Sequence, residues 1–298
     1  MELKKPLSFE EQAHRLVEHG MDVRSLREAA QFLSHVNYYR FTGYALQFRA
    51  ENGQDYSTGT SFDQVRNIYQ FDAELRGILR NALDSAEAMF RAQISNGFSM
   101  VKCVDAPYDG HYNPDNFYRP QEHQEVLDSL KKEEARHLDS LVVKHHQSKY
   151  EDHMPLWVIV ELLSMSSLSK LYHAMYFSEQ KTIAAGCGKT AEVFANHLHV
   201  LTVLRNKCCH GGRLYNVPFR PSAKLGTYYL KNHPEVAVDT LFAAVIVLFR
   251  CLPTREAKMK LHAGLCSCIQ KYASSIELDR IGFPKNYQQL LNIELNSL

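Results

Sequence analysis

An all-α fold is what this sequence of 298 residues predicts. Three observations carry that expectation. Apolar residues recur at helical spacing in almost every segment. Serine-led capping boxes open several of these segments, and Gly or Pro closes or punctuates them. The pattern divides into a helical extension over residues 1–56 and a larger helical domain over 57–298, the latter carrying a loop-helix insertion around 103–150.

In chain order, Ser8-Phe9-Glu10-Glu11 forms a capping box for a first helix that Gly20 stops. A second helix is expected from near Arg24 toward Tyr38, followed by the aromatic-dense run from Asn37 to Tyr44. The polar, Gly-containing stretch from Glu51 to Ser61 reads as a linker. Ser61-Phe62-Asp63-Gln64 opens a long helix with Val65, Ile68, Leu75, Ile78, Leu79, Ala82, Ala86, Met89, Phe90 and Ile94 on one stripe. Run to Asn96, that helix is about 50 Å long at ~1.5 Å per residue. Its Asp72/Arg76, Arg80/Asp84 and Glu87/Arg91 pairs at i,i+4 suggest a salt-bridged exposed face. A loop over Cys103–Pro120 precedes a polar helix from Glu122 to His146. Pro155 suits the first turn of an apolar helix, Leu156–Leu163, expected at the centre of the core. Glu161 is a lone carboxylate in that run, and a buried carboxylate needs a partner. It would either orient Arg205 or pair with an Arg of the long helix. Helices over Glu192–His210, Glu235–Cys251 and Thr254–Ala273 follow, and Ile281-Gly282-Phe283-Pro284 begins a short tail.

Composition narrows the function classes. Charged residues make up 22% of the chain and hydrophobic ones 45%, as in ordinary globular proteins. Met1-Glu2-Leu3-Lys4-Lys5-Pro6 has no apolar core of a signal peptide, and the longest apolar run is too short for a bilayer. A cytoplasmic protein off the membrane is therefore expected. The seven Cys are an odd number without framework spacing, which suits free thiols in a reducing compartment. Cys208, Cys209 and His210 are consecutive and cannot converge on one zinc, and Asp72 and Glu74 diverge on a helix, so no metal site is expected. Gly186-Cys187-Gly188-Lys189-Thr190 lacks the spacing of a phosphate loop and reads as a helix break. No nucleophile elbow is present, and no cofactor is expected.

The chemistry concentrates in Leu204-Arg205-Asn206-Lys207-Cys208-Cys209-His210-Gly211-Gly212-Arg213. Arg205 can clamp a phosphate bidentately, and His210 can move a proton near neutral pH. Asn206 and His210, four apart, share a helical face. The same residues also suit a plain helix end, with a surface Arg and a His complementing the C-terminal dipole. Local charge favours the first reading. From Val193 to Pro234 there is no Asp or Glu, while Arg205, Lys207, Arg213, Arg220, Lys224 and Lys231 fall within the window. The whole chain carries a net charge of only +1, so the cations are segregated. Such a field suits a polyanion such as RNA.

Six blocks, in order, resemble the Abi family of abortive-infection proteins within the HEPN superfamily. They are Tyr38–Tyr44, Tyr69–Arg76, Pro155–Leu163, Leu204–His210, Arg213–Asn216 and Gly282–Pro284, and they span nearly the whole chain. The fourth matches the superfamily's Arg-Asn-x-x-x-His signature without a gap, with Cys209 where a small residue often precedes the His. The resemblance implies a HEPN-type antiparallel helix bundle that dimerises through the motif helix, and a growth-arresting toxin of bacterial anti-phage defence. It also implies a metal-independent endoribonuclease with Arg205, Asn206 and His210 as catalytic residues, restrained by a protein or RNA antitoxin. Lys207, Arg213, Arg220 and Lys224 would hold RNA. Two other functions fit the sequence: a non-catalytic module binding structured RNA, and a purely structural dimerisation protein.

Overall fold

The computed structural model describes Leu3, residues 5–150 and residues 153–296, apart from the side chain of Gln147. Met1, Glu2 and Lys4 of the amino-terminal stretch lie outside the described residues. Among those described there are fourteen α-helices, and strand pairing is limited to isolated bridges. The all-α expectation holds.

The capping box is formed at the first helix, α1 (Phe9–Glu18): Ser8 Oγ accepts from the Glu11 N–H at 3.2 Å, and Glu11 Oε2 accepts from the Ser8 N–H at 2.6 Å. Gly20 follows in the left-handed region, as a helix stop requires. The second helix, α2 (Leu26–His35), starts on Ser25, and α3 (Tyr38–Ala45) starts on Asn37. The polar stretch from Glu51 folds back as a turn, with bridges Arg49–Tyr56 and Asp22–Ser61.

The longest helix, α4 (Phe62–Lys102), has 41 residues and is about 60 Å long. Beyond it a 3-10 turn at Pro114–Asn116 interrupts the loop. The polar segment expected as one helix is two, α5 (Pro120–Arg136) and α6 (Leu141–Tyr150). Asp139 and Ser140, residues that favour helix starts over helix interiors, supply the break. Next come α7 (Leu156–Leu162), α8 (Met165–Ala174) and α9 (Phe177–Gly186). The motif helix α10 (Ala191–Cys209) is capped by Thr190, and α11 (Thr227–Asn232) lies in the return loop. The chain finishes with α12 (Leu241–Cys251), α13 (Arg255–Lys271) and α14 (Tyr287–Asn296). The sequence pattern did not assign α8, α9 or α11, and the expected tail is the helix α14.

The bundle is antiparallel around α4. Phe90 meets Phe194, Glu87 meets Arg205 and Asp72 meets Leu214, so α10 runs against α4. On another side Asn67 meets Ser275 and Glu74 meets Lys271, so α13 also runs against it. Gly97 lets α9 approach closely, since a Cβ there would lie 2.5 Å from Ile183 Cγ1. The centre of the core is α12, buried at every position but Arg250, and not α7 as its sequence suggests. On α7 the indole of Trp157 is 57% exposed. Arg250 is answered by the buried Glu294 of α14 through bonds of 2.9 and 2.6 Å.

Two histidines are built into this interior as neutral groups. His197 contacts the Lys224 carbonyl through Nε2 at 3.0 Å, and His111 contacts the Met154 carbonyl at 2.9 Å. Burial pushes each imidazole down to about 4. A folded-state value below the unfolded one, ~6.5, means stability is complete above pH 6.5 and drains away as pH falls toward 4. Urea denaturation at pH 7 and pH 4.5 should therefore show His197→Gln losing about 2 kcal/mol less than the wild type over that interval. Equal losses in both proteins would refute the assignment.

Candidate active site

The candidate site is assembled on the last turns of α10. The helix ends as a Schellman-type cap: His210 is the terminal residue, its N–H bonds the Asn206 carbonyl at 3.0 Å, and the Gly212 N–H reaches back to the Lys207 carbonyl at 2.7 Å. Gly211 between them has φ of +65°, which favours glycine. His210 is exposed, and Arg205, Asn206 and Lys207 are half-buried. The chain thus stops turning where the imidazole reaches solvent.

Two of the three motif side chains are held from outside the motif. Arg205 Nε lies 3.3 Å from Glu87 Oε2 of α4, and Glu87 also pairs with Arg91. Arg91 Nη2 in turn donates to the Leu163 carbonyl at 2.8 Å. One carboxylate serves two guanidinium groups, so the cluster keeps a net positive charge. Asn206 Nδ2 donates to Ser166 Oγ on α8 at 3.1 Å. Glu161, expected either to orient Arg205 or to pair with an Arg of the long helix, is exposed. The short α7 lies at the edge of the bundle with its Glu161 face toward solvent, and Glu87 holds Arg205 instead.

Below the site lies a buried polar centre. Asp72, with no exposure, accepts the Leu214 N–H at 3.0 Å and the Tyr215 N–H at 2.7 Å through Oδ1. Its Oδ2 accepts the Tyr44 hydroxyl at 2.6 Å and pairs with Arg76. Burial raises the Asp72 carboxyl against the opposing pull of Arg76 and these donors. Arg76, Arg40 and Arg213 tie the same region together: Arg76 donates to the Gly212 carbonyl at 3.4 Å, Arg40 to the Gly211 carbonyl and Arg213 to the Gly43 carbonyl. The i,i+4 pairs Asp72/Arg76 and Glu87/Arg91 are therefore interior features, not an exposed face. Asp72 falls four residues after Ile68 and three before Leu75, and Glu87 stands likewise between Leu83 and Phe90. A carboxylate on the buried stripe was the sequence signal for both.

The basic window does not fold into one patch. Lys207 stays beside the motif, while Arg213 is committed to Gly43 and lies 5.8 Å over the Tyr44 ring. Lys224 is tethered near the start of α10, where its N–H bonds Asn196 Oδ1 and its ammonium pairs with Glu192 at 3.0 Å. Asn196 is fourteen residues before His210, or about 21 Å along the helix. Arg220 is exposed on the same return loop. Cys208 is buried and its thiol is pushed up to about 12, which leaves it no role as a nucleophile at neutral pH.

Removing the carboxylate at the polar centre should be costly. Asp72→Ala leaves the Arg76 charge and two buried N–H groups without their acceptor, a loss of about 3–5 kcal/mol. Equilibrium denaturation measures it, and a loss under 1 kcal/mol would contradict the structure.

A search of curated proteins and one of solved structures each return no match. A family model does match: the one described as Abi-like protein covers residues 31–216. That span takes in the α3 block with Tyr44, the α4 block with Asp72 and Arg76, α7, the motif turns of α10 and Arg213–Asn216. Of these, the α3, α4 and Arg213–Asn216 segments meet around Asp72; the matched span makes up more than half of the sequence, and the chain belongs to the Abi-like protein family.

Proposed function

We propose that this protein is a HEPN-type toxin of bacterial anti-phage defence that arrests growth by cleaving RNA without a metal. The observation that carries the reading is the arrangement at the end of α10, where Arg205 and Asn206 are anchored on the last turns and His210 is exposed at the cap. The family description, Abi-like, supports the defence role. In the proposed reaction a ribose 2′-hydroxyl attacks the adjacent phosphorus and the P–O5′ bond breaks, giving a 2′,3′-cyclic phosphate and a 5′-hydroxyl. His210 takes the 2′-hydroxyl proton or protonates the leaving oxygen, and its copy in a second protomer performs the complementary transfer across a dimer of motif helices. Glu87 occupies the Nε edge of Arg205, so its terminal nitrogens face the phosphoryl oxygens where charge develops.

Asn206, fixed by Ser166, orients the imidazole or donates to phosphate. Lys207, beside the motif, neutralises flanking backbone in a salt-dependent, sequence-independent way, and of the more distant cations Arg213, Arg220 and Lys224, engaged or remote as described above, a longer strand would reach the exposed Arg220. Restraint by an antitoxin of protein or RNA, in the cytoplasm, completes the reading. No helix among the described residues is long and apolar enough to cross a membrane.

The test is induced expression in a bacterial host, wild type beside His210→Ala, with growth and total RNA followed together. Wild type should arrest growth and fragment RNA, and His210→Ala should lose roughly 10²–10⁴-fold of the cleavage. Purified protein should act undiminished in chelator, leave DNA intact and yield cyclic-phosphate ends. RNA cut equally well by His210→Ala, or DNA cut alongside RNA, would refute the mechanism.

A further inference from the structure

The aromatic run from Asn37 to Tyr44 packs only one of its faces. Phe41, Tyr44 and Ala45 of α3 are buried, and Tyr38 lies against the same core. Tyr39, Thr42, Gly43 and Leu46 repeat at i, i+3, i+4 and i+7 and make a second stripe. That stripe is one wall of a cavity of about 430 Å³, and Gly211 and Arg213 stand in the other. Tyr39 is 86% exposed, although its place is fixed: Asn37 Oδ1 accepts the Tyr39 N–H at 2.9 Å. An exposed phenol held in one position is apolar surface that a flat ligand would cover. Gly43 keeps the middle of the stripe bare. Glycine weakens a helix interior, and a Cβ here would meet only Arg213 Nη1, at an ordinary 3.6 Å. The packing of the chain does not call for glycine at this position; a group seated on the stripe does.

Charge selects the kind of flat ligand. Arg40 of α3 donates to the Gly211 carbonyl, and Arg213 donates back to the Gly43 carbonyl of α3, a crossed pair of bonds. A carbonyl orients a guanidinium without cancelling its charge, and most of the N–H groups of each remain for another acceptor. The nearby carboxylate of Asp72 is already paired with Arg76, which also reaches the Gly212 carbonyl at 3.4 Å. Three guanidinium groups therefore gather here against one carboxylate, and no Asp or Glu lines the cavity. A ring for a base, beside fixed guanidinium groups for a phosphate, is the combination that grips a single-stranded nucleic acid.

Position ties the cavity to the motif. Gly211 follows His210 directly, so the wall begins ~3.8 Å of chain from the residue that carries the imidazole. We infer that this cavity is the subsite for the nucleotide next to the phosphate at Arg205 and His210, its base on Tyr39 and its own phosphate beside Arg40 and Arg213. The inference rests on the RNA reading above but not on cleavage. A base stacked on Tyr39 is one withdrawn from a duplex, so the subsite gives the site a preference for unpaired RNA.

The full-length His210→Ala protein would be titrated into each of four labelled homopolymeric oligoribonucleotides, by fluorescence anisotropy at several salt concentrations. Adding Tyr39→Ala should weaken the tightest complex about tenfold, the loss of one stacked base, with the salt dependence unchanged. Tyr39→Phe should retain most of the affinity. Tyr39 is exposed, so thermal unfolding of both variants should match the parent.

The salt dependence supplies the second measurement. Arg40→Gln and Arg213→Gln should each flatten the slope of log affinity against log salt by about one phosphate contact, and Arg40→Lys and Arg213→Lys should preserve it. Both arginines also tie α3 to the end of α10, and a merely structural loss lowers affinity without flattening that slope. Equal affinity in Tyr39→Ala and its parent, unchanged slopes in both Gln variants, or no binding of any oligomer would each overturn the subsite. Growth arrest lost in Tyr39→Ala with RNA affinity intact would assign the surface to a protein partner instead. Tyr39-dependent binding of RNA that the wild type never cleaves would defeat the nuclease reading and leave the subsite standing. Cleavage that needs His210, with an affinity indifferent to Tyr39, would do the reverse.

Discussion

The fold turns on one buried carboxylate. Asp72 sits inside α4, and its two oxygens collect a tyrosine hydroxyl from α3, a guanidinium one turn along its own helix and two backbone N–H groups from the strand of chain that leaves the motif helix. Without it the two N–H groups and the tyrosine hydroxyl would be buried without this acceptor and Arg76 without its counter-charge, and without them the carboxylate would be a charge short of compensation. The four interactions therefore hold together or fail together. They fix where the chain goes after Gly212, and so the angle at which the end of α10 meets solvent. Tyr215 extends the same arrangement, because its hydroxyl accepts the Glu277 N–H at 2.9 Å from the segment after α13.

Around that centre the motif gains rigidity by being tied to three other elements. Arg205 is held by α4 and Asn206 by α8, while the Gly211 carbonyl is held by Arg40 of α3. Preorganisation of this kind is what separates a site from a helix end that happens to carry the same side chains. The exposed imidazole is the exception, and exposure is what a proton-transferring group needs if its substrate arrives from solvent.

Much of this was legible before any coordinates. Ser8 with Glu11, Gly20, Ser61 and the Gly186–Thr190 break announced their helix ends through local hydrogen-bond chemistry, which a sequence carries directly. The α10 motif and the left-handed residue after it were equally local. What the sequence hid was partnership across the fold. A stretch such as Leu156–Leu163 is apolar whether it lies at the centre or at the rim, and only its packing against α4 and α5 decides that Trp157 and Glu161 face outward. The acidic residue at Arg205 was sought in that stretch, the one place where a carboxylate looked buried. Glu87 was passed over because a neighbouring Arg91 made it resemble a surface pair. The basic window misled in a similar way: contiguity in sequence became separation in space once Lys224 returned to the far end of α10.

The length of α4 has a consequence for how such a chain can change over evolutionary time. Asp72 and Glu87 lie on one continuous helix, fifteen residues apart, and serve two different parts of the site. A helix has no slack: inserting or deleting a single residue between them would rotate one relative to the other by about 100°. Either Asp72 would leave its four donors or Glu87 would turn away from Arg205. Exposed surface loops tolerate changes of length far better. The segment from Asp72 to Glu87 should drift in composition but keep its count, behaving as a fixed ruler between the polar centre and the reactive end of α10.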